Sequence, residues 1–200
     1  MQTGMGHRLY SLGEIYVILV DGMRTMPHLA RARRRHVLLP QTIERVMLAV
    51  TEVNGCAVCS YAHAKMALET GMSHEEIREM LAGDLSGVLE DALEAVLFAQ
   101  HYADSRGKVS HQAWHTLTGH AGQVKAYGIL GAARAIMIGN VLGIPWGSFF
   151  NRLRGRPDAR SSLGYEIAVM LLGSLLMIPA TVHALIAGLC RKPLLTCTDR

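Results

Sequence analysis

The stretch Thr42-Ile43-Glu44-Arg45-Val46-Met47-Leu48-Ala49-Val50-Thr51-Glu52-Val53-Asn54-Gly55-Cys56-Ala57-Val58-Cys59-Ser60-Tyr61-Ala62-His63 decides how the chain is read. Val46, Ala49, Val50 and Val53 are spaced for one face of a helix, with Thr42 as its expected N-cap. Asn54-Gly55 breaks that helix. A second is expected from about Cys56, carrying Ala62, Ala64, Met66 and Ala67 to a C-cap at Gly71. Cys56 and Cys59 then share one turn, and His63, four residues after Cys59, lies over the same face. Two thiols on one turn can close a small disulfide ring and exchange electrons with a third thiol or a peroxide. A histidine beside them can move a proton. Glu44 reaches that histidine if the two helices run as antiparallel neighbours.

Outward from this core the helical signals continue. Ser73-x-x-Glu76 reads as a capping box opening a third helix to Leu81, stopped by Gly83. A fourth is expected over about Val88 to Tyr102, with Leu89, Leu93, Val96, Leu97 and Phe98 inward. Ser110 caps a short fifth through Trp114. A sixth runs from about Ala121 to Leu142, where Gly128, Gly131, Ala132, Ala133 and Ala135 allow close helix contact. Upstream, the run Ile15 to Val20 suits a strand or a buried helix, and the helical surroundings favour helix. No alternating strand pattern with hairpin signals appears, so the fold class is all-α.

Composition narrows the function. Half of the 200 residues are apolar and 18% are charged, so the chain is no disordered tail. The net charge of +4 is local. It resides in Arg31, Arg33, Arg34 and Arg35, and in Arg152, Arg154, Arg156 and Arg160. Neither cluster is interleaved with aromatics, so no nucleic-acid partner is expected. With no signal peptide evident, the four cysteines (Cys56, Cys59, Cys190 and Cys197) suit a reducing cytoplasm, where paired thiols are more often catalytic or metal-binding than structural. A zinc half-site is the competing reading of the pair. Cys190 and Cys197 lack the spacing of a second pair, so no metal is expected. His63 alone would be an ordinary core or surface histidine; its spacing from Cys59 raises it. Glu44 alone would be a solvated residue, but on a mostly buried helix a carboxylate needs a partner. His111 and His115 are four apart, without the glutamate of a zinc-protease motif, and surface placement is expected. His7, His28, His36, His74, His101, His120 and His183 form no pattern.

After Pro145 the character changes. Arg152 to Ser162 is basic and rich in small and turn residues, a linker by composition. Ile167 to Cys190 contains no Asp, Glu, Lys or Arg, enough to cross a hydrocarbon core of about 20 residues. It reads equally as a membrane segment or as a buried helix in an oligomer core. If it spans, the basic flanks place the thiol domain in the cytoplasm, attached to the inner membrane.

Glu44, Cys56, Cys59 and His63 together resemble the AhpD-like branch of the carboxymuconolactone decarboxylase family. The context agrees: Leu39-Pro40-Gln41-Thr42 before the motif, Gly71-Met72-Ser73 and Glu75-Glu76-Ile77 after it. The resemblance covers roughly Leu38 to Leu153. It implies an N-terminal extension over 1–37, an AhpD-like helical domain over 38–153, and an appended basic linker and apolar helix over 154–200. It also implies a homo-oligomer and an alkyl hydroperoxide reductase. Cys59 would attack the peroxide, Cys56 would resolve the sulfenate, and His63 with Glu44 would relay protons. The cysteines suffice, so no organic cofactor is expected; an unnamed dithiol would regenerate them. From residues alone either cysteine could attack first. Val58 departs from the pattern, because the AhpD type has a second histidine there; the relay is shorter. The alternative function is a membrane-tethered, redox-responsive interaction module without significant turnover.

Overall fold

A computed structural model describes residues 9–198; His7 and the first eight residues of the N-terminal extension lie outside them. The described residues are helical, with no strand beyond an isolated bridge between Ser110 and Thr198. The all-α class holds. Helix α1 (Leu12–Arg34) starts at a capping box, Ser11 with Glu14. The ambiguous run Ile15 to Val20 becomes its inner face, with Ile15, Leu19 and Val20 buried.

Helix α2 (Pro40–Asn54) starts earlier than Thr42. Its N-cap is Leu39 and Pro40 fills the first turn, where a missing N–H costs nothing, while Thr42 is buried inside the helix. Helix α3 (Ala57–Glu69) follows, then α4 (His74–Leu81). Only half of the expected box at α4 forms. Ser73 Oγ accepts from the Glu76 N–H, but the Glu76 carboxylate is taken by Arg45 Nε at 2.6 Å, a buried cation of α2 that needs it more.

Helix α5 (Glu90–Asp104) leads to α6 (His111–Leu153), which is longer than the two helices expected there. The first continues past Trp114, and Gly122 (φ 71°, ψ 159°) is the kink between the two. The second runs on through Pro145. Last comes α7 (Leu163–Ala168), a π-helical turn (Val169–Gly173) and α8 (Ser174–Leu189), which together form one continuous helix.

Helix α1 lies along α6, and α2 packs against both α5 and α6. Leu19, Val46, Leu48, Val50, Ile129 and Leu130 are fully buried between them. The α1–α6 crossing is close: a Cβ on Gly128 would sit 2.5 Å from the Cβ of Ala32. Gly128→Ala gains up to about 1 kcal/mol of helix propensity. The clash is with an atom fixed to backbone, and overpacking of this kind costs about 1–3 kcal/mol. A lower Tm is therefore expected, measurable by thermal denaturation.

The C-terminal helix is docked on the domain. Ala180, Ala184 and Ala187 are buried on its inner side, and α8 packs against α1. Glu166, fully buried, accepts two hydrogen bonds from Arg152 at 2.8 and 2.9 Å. Tyr16 and His183 Nδ1 are hydrogen-bonded at 3.1 Å, and Arg24 donates to the carbonyls of Lys192 and Pro193. Two helices, His111–Leu153 and Leu163–Leu189, have the length and composition to cross a membrane. The apolar window of the first is 67% buried, as in the core of a soluble protein; that of the second is 22% buried.

Candidate active site

The turn after α2 builds the site. Gly55 takes the left-handed conformation (φ 65°) that caps α2, so the chain reverses within one residue. Cys56 follows as the N-cap of α3 and Cys59 is in the first turn, with its N–H directed at Cys56 Sγ at 3.4 Å. The sulfur thus occupies the place where a serine or aspartate oxygen usually satisfies the unpaired N–H groups of a helix start. The reversal also sets α3 beside α2. His63 Nδ1 and Glu44 Oε2 are 2.8 Å apart. Glu44 is 5% exposed and its hydrogen bond to His63 supplies the partner its burial demands. With the carboxylate accepting, Nδ1 carries the hydrogen and Nε2 is left as the base.

Helix α6 closes the site from behind. Its glycines at 139, 143 and 147 form a stripe against the α3 start. A Cβ on Gly143 would lie 3.0 Å from Cys56 Sγ and 3.1 Å from Cys59 Sγ, and one on Gly147 would lie 3.2 Å from Val58. Both sulfurs therefore rest on bare backbone. Cys56 is wholly buried, and Cys59 is 7% exposed. Val58 and Tyr61, on either side of Cys59 in the sequence, are exposed.

The two thiols divide their roles electrostatically. The Cys56 thiol is held below its ordinary range, chiefly because the Cys59 S–H donates to it. The N–H groups of Cys59 and Val58 and the charge of Arg160 add to this, and together they outweigh burial. The Cys59 thiol is pushed up by that same hydrogen bond, by burial and by the neighbouring Cys56 charge. The two shifts are the two sides of one interaction, which favours negative charge on Cys56 over Cys59. Arg160 is locked in place by Asp158 at 2.8 Å, and Asp158 also accepts from Ser148 on α6.

A pH dependence follows. An acid with a depressed folded pKa is ionised at lower pH than in the unfolded chain, so Cys56 stays thiolate below the usual thiol range of about 8.5. Its contribution to stability is present above the unfolded pKa and is lost as pH falls through the folded one. Iodoacetamide alkylation should show one thiol of the pair titrating below the usual range. The second should react only at high pH.

The structure brings Glu44, Cys56, Cys59 and His63 together. Cys190 is exposed at the end of α8, and among the described residues no group of three or more His, Cys, Asp and Glu side chains is arranged to hold a metal. Two features escaped the sequence reading. The glycine stripe had a signal, three glycines at intervals of four; the Asp158–Arg160 pair, in the segment read as linker, had none.

These features define an all-α thiol protein whose CxxC turn is backed by a part-buried carboxylate–imidazole pair. Residues 21–101 match the Carboxymuconolactone decarboxylase family, and the resemblance read from the four site residues is borne out on that stretch. The match holds α2 to α4, with all four site residues, and ends before α6. No curated protein and no solved structure matches the chain.

Proposed function

We propose that the chain is a thiol-dependent peroxidase of the AhpD-like kind, working through a disulfide cycle of Cys56 and Cys59. The observation that carries this reading is the placement of both cysteines at the start of α3, one turn before the histidine that pairs with Glu44. Cys59 is the more exposed residue of the two and lies one turn before His63, which favours it as the attacker. His63 Nε2 accepts the Cys59 proton as the sulfur attacks the O–O bond. The sulfur becomes a sulfenic acid, and the alkoxide leaves as an alcohol after taking a proton delivered through His63. Cys56 then attacks the Cys59 sulfenic sulfur and expels hydroxide, which leaves as water with the second proton. The depressed thiol range of Cys56 suits this resolving step, because it is the thiolate that attacks. A dithiol reductant takes up the disulfide by two exchange steps and becomes oxidised itself. The homo-oligomer implied by the family belongs to the same proposal.

The test is consumption of cumene hydroperoxide by the full chain with dithiothreitol as donor. Turnover that needs both protein and dithiol supports the reading. A fully reduced protein that leaves the hydroperoxide intact overturns it. The outward apolar side of α8 favours a second reading, a membrane-tethered module whose disulfide state alters its assembly without significant turnover. It predicts a change in oligomer size between reduced and oxidised protein, with no catalytic consumption of peroxide.

A further inference from the structure

The outer side of the C-terminal helix carries a stripe that the domain leaves bare. Ile167, Leu171, Leu175, Ile178, Val182 and Leu189 follow one another at helical spacing, and Ile178 is 70% and Leu189 84% exposed. From Ile167 to Leu189 the stripe is about 33 Å long at 1.5 Å per residue. No acidic residue occurs between Glu166 and Lys192, and exposed basic residues stand at both ends, Arg154 and Arg156 before it, Arg191 and Lys192 after it. The stripe is purely aliphatic. Protein–protein interface cores draw on aromatic residues, Met and Arg, and they pair polar groups across the contact. An unbroken aliphatic stripe with cationic ends suits acyl chains below a layer of anionic headgroups.

The orientation also follows from the packing. The inner side of α8 is pressed on α1, which carries Asp21 and Arg24, and Arg24 holds the tail carbonyls beyond α8. A transmembrane placement would draw those charges into hydrocarbon or strip the helix from its partner. Lying flat keeps both basic ends at the headgroup level of one leaflet. A cavity of about 700 Å³ opens between α1 and α8, lined by Met23, Pro27, Leu185 and Leu189 and by the basic Arg24 and Lys192. Its size is that of a small-ligand site. Arg24, whose Nη2 holds the Lys192 and Pro193 carbonyls, has its Nε buried without an acceptor.

We propose that this protein binds the surface of an anionic phospholipid bilayer, with α8 lying in the plane of one leaflet. One phospholipid seats an acyl chain in the α1–α8 cavity and its phosphate on Lys192 and Arg24. The proposal stands apart from the thiol chemistry and holds or fails without it.

The test is flotation of the full chain with vesicles of phosphatidylcholine, and of an equal mixture of phosphatidylcholine and phosphatidylglycerol. Wild type should float with the mixed vesicles. The double variant Leu175→Glu with Ile178→Glu, both at exposed positions, should lose binding at least tenfold on either vesicle. Lys192→Glu should weaken binding to the mixed vesicles alone. In bound wild type, exposed Cys190 should still react with a membrane-impermeant maleimide added outside. Wild type that floats with neither vesicle overturns the proposal. So does a soluble wild-type oligomer that the double variant splits into monomers while lipid binding is absent, since the stripe is then an interface between copies. Cys190 shielded from outer maleimide overturns the in-plane placement and makes the helix a span.

Discussion

Cys59→Ser is expected to remove peroxide-driven turnover, a loss on the order of a thousandfold or more, because the nucleophile has no substitute. The variant should fold. Serine is slightly smaller than cysteine, so it fits beside the Gly143 backbone where the Cys59 sulfur now rests. Cys56→Ser gives a different result. Cys59 can still attack, but nothing resolves the product, so turnover stops after one equivalent with the sulfenic acid left on Cys59. Dimedone labelling followed by peptide mapping reads that species. The reversed pattern, a trapped sulfenic acid on Cys56 in Cys59→Ser and none in Cys56→Ser, would exchange the two roles. Such an exchange has a physical basis, because charge is better stabilised on Cys56 while access is better at Cys59.

The second large effect is expected from Glu44→Gln. Glutamine keeps an oxygen within reach of His63 Nδ1 but removes the charge that supports an imidazolium. The rate with hydroperoxide should fall by roughly ten- to hundredfold, the range seen when a supporting hydrogen bond or a proton-transfer group is weakened. Alkylation of Cys56 near neutral pH should change little. The lowering at Cys56 comes from the Cys59 side chain, the helix N–H groups and Arg160, and not from Glu44. A merely structural Glu44 would instead lower Tm and leave the pH profile of the reaction in place. The positioning role moves the pH profile and leaves Tm nearly unchanged. Stopped-flow rates across pH, set beside thermal denaturation, separate the two.

Much of this arrangement could be read along the chain because it is local. The period of Val46, Ala49, Val50 and Val53 marks the inner face of α2. Asn54-Gly55 marks the reversal, and the spacing of Cys56, Cys59 and His63 marks one side of α3. Once two helices are joined by so short a turn, Glu44 and His63 are within reach by geometry. What escaped is long-range or competitive. Thr42 looked like a cap because of its side chain, yet Pro40 begins the helix with its fixed φ. Glu76 had the spacing to complete a capping box, yet Arg45 on α2 claims it. Glu166 and Arg152 gave no hint of a buried pair, because neither shows a partner within its own helix. The run after Ile167 reads as apolar throughout. Only packing divides it into an inner face of Ala180, Ala184 and Ala187 and an outer aliphatic stripe.

The most direct measurement of the central claim is a single turnover of the fully reduced chain with one equivalent of cumene hydroperoxide, followed by thiol counting and peptide mapping. The account predicts the loss of two thiols, a Cys56–Cys59 disulfide and one equivalent of alcohol, with Cys190 still alkylatable. Four unreacted thiols beside intact hydroperoxide would contradict it.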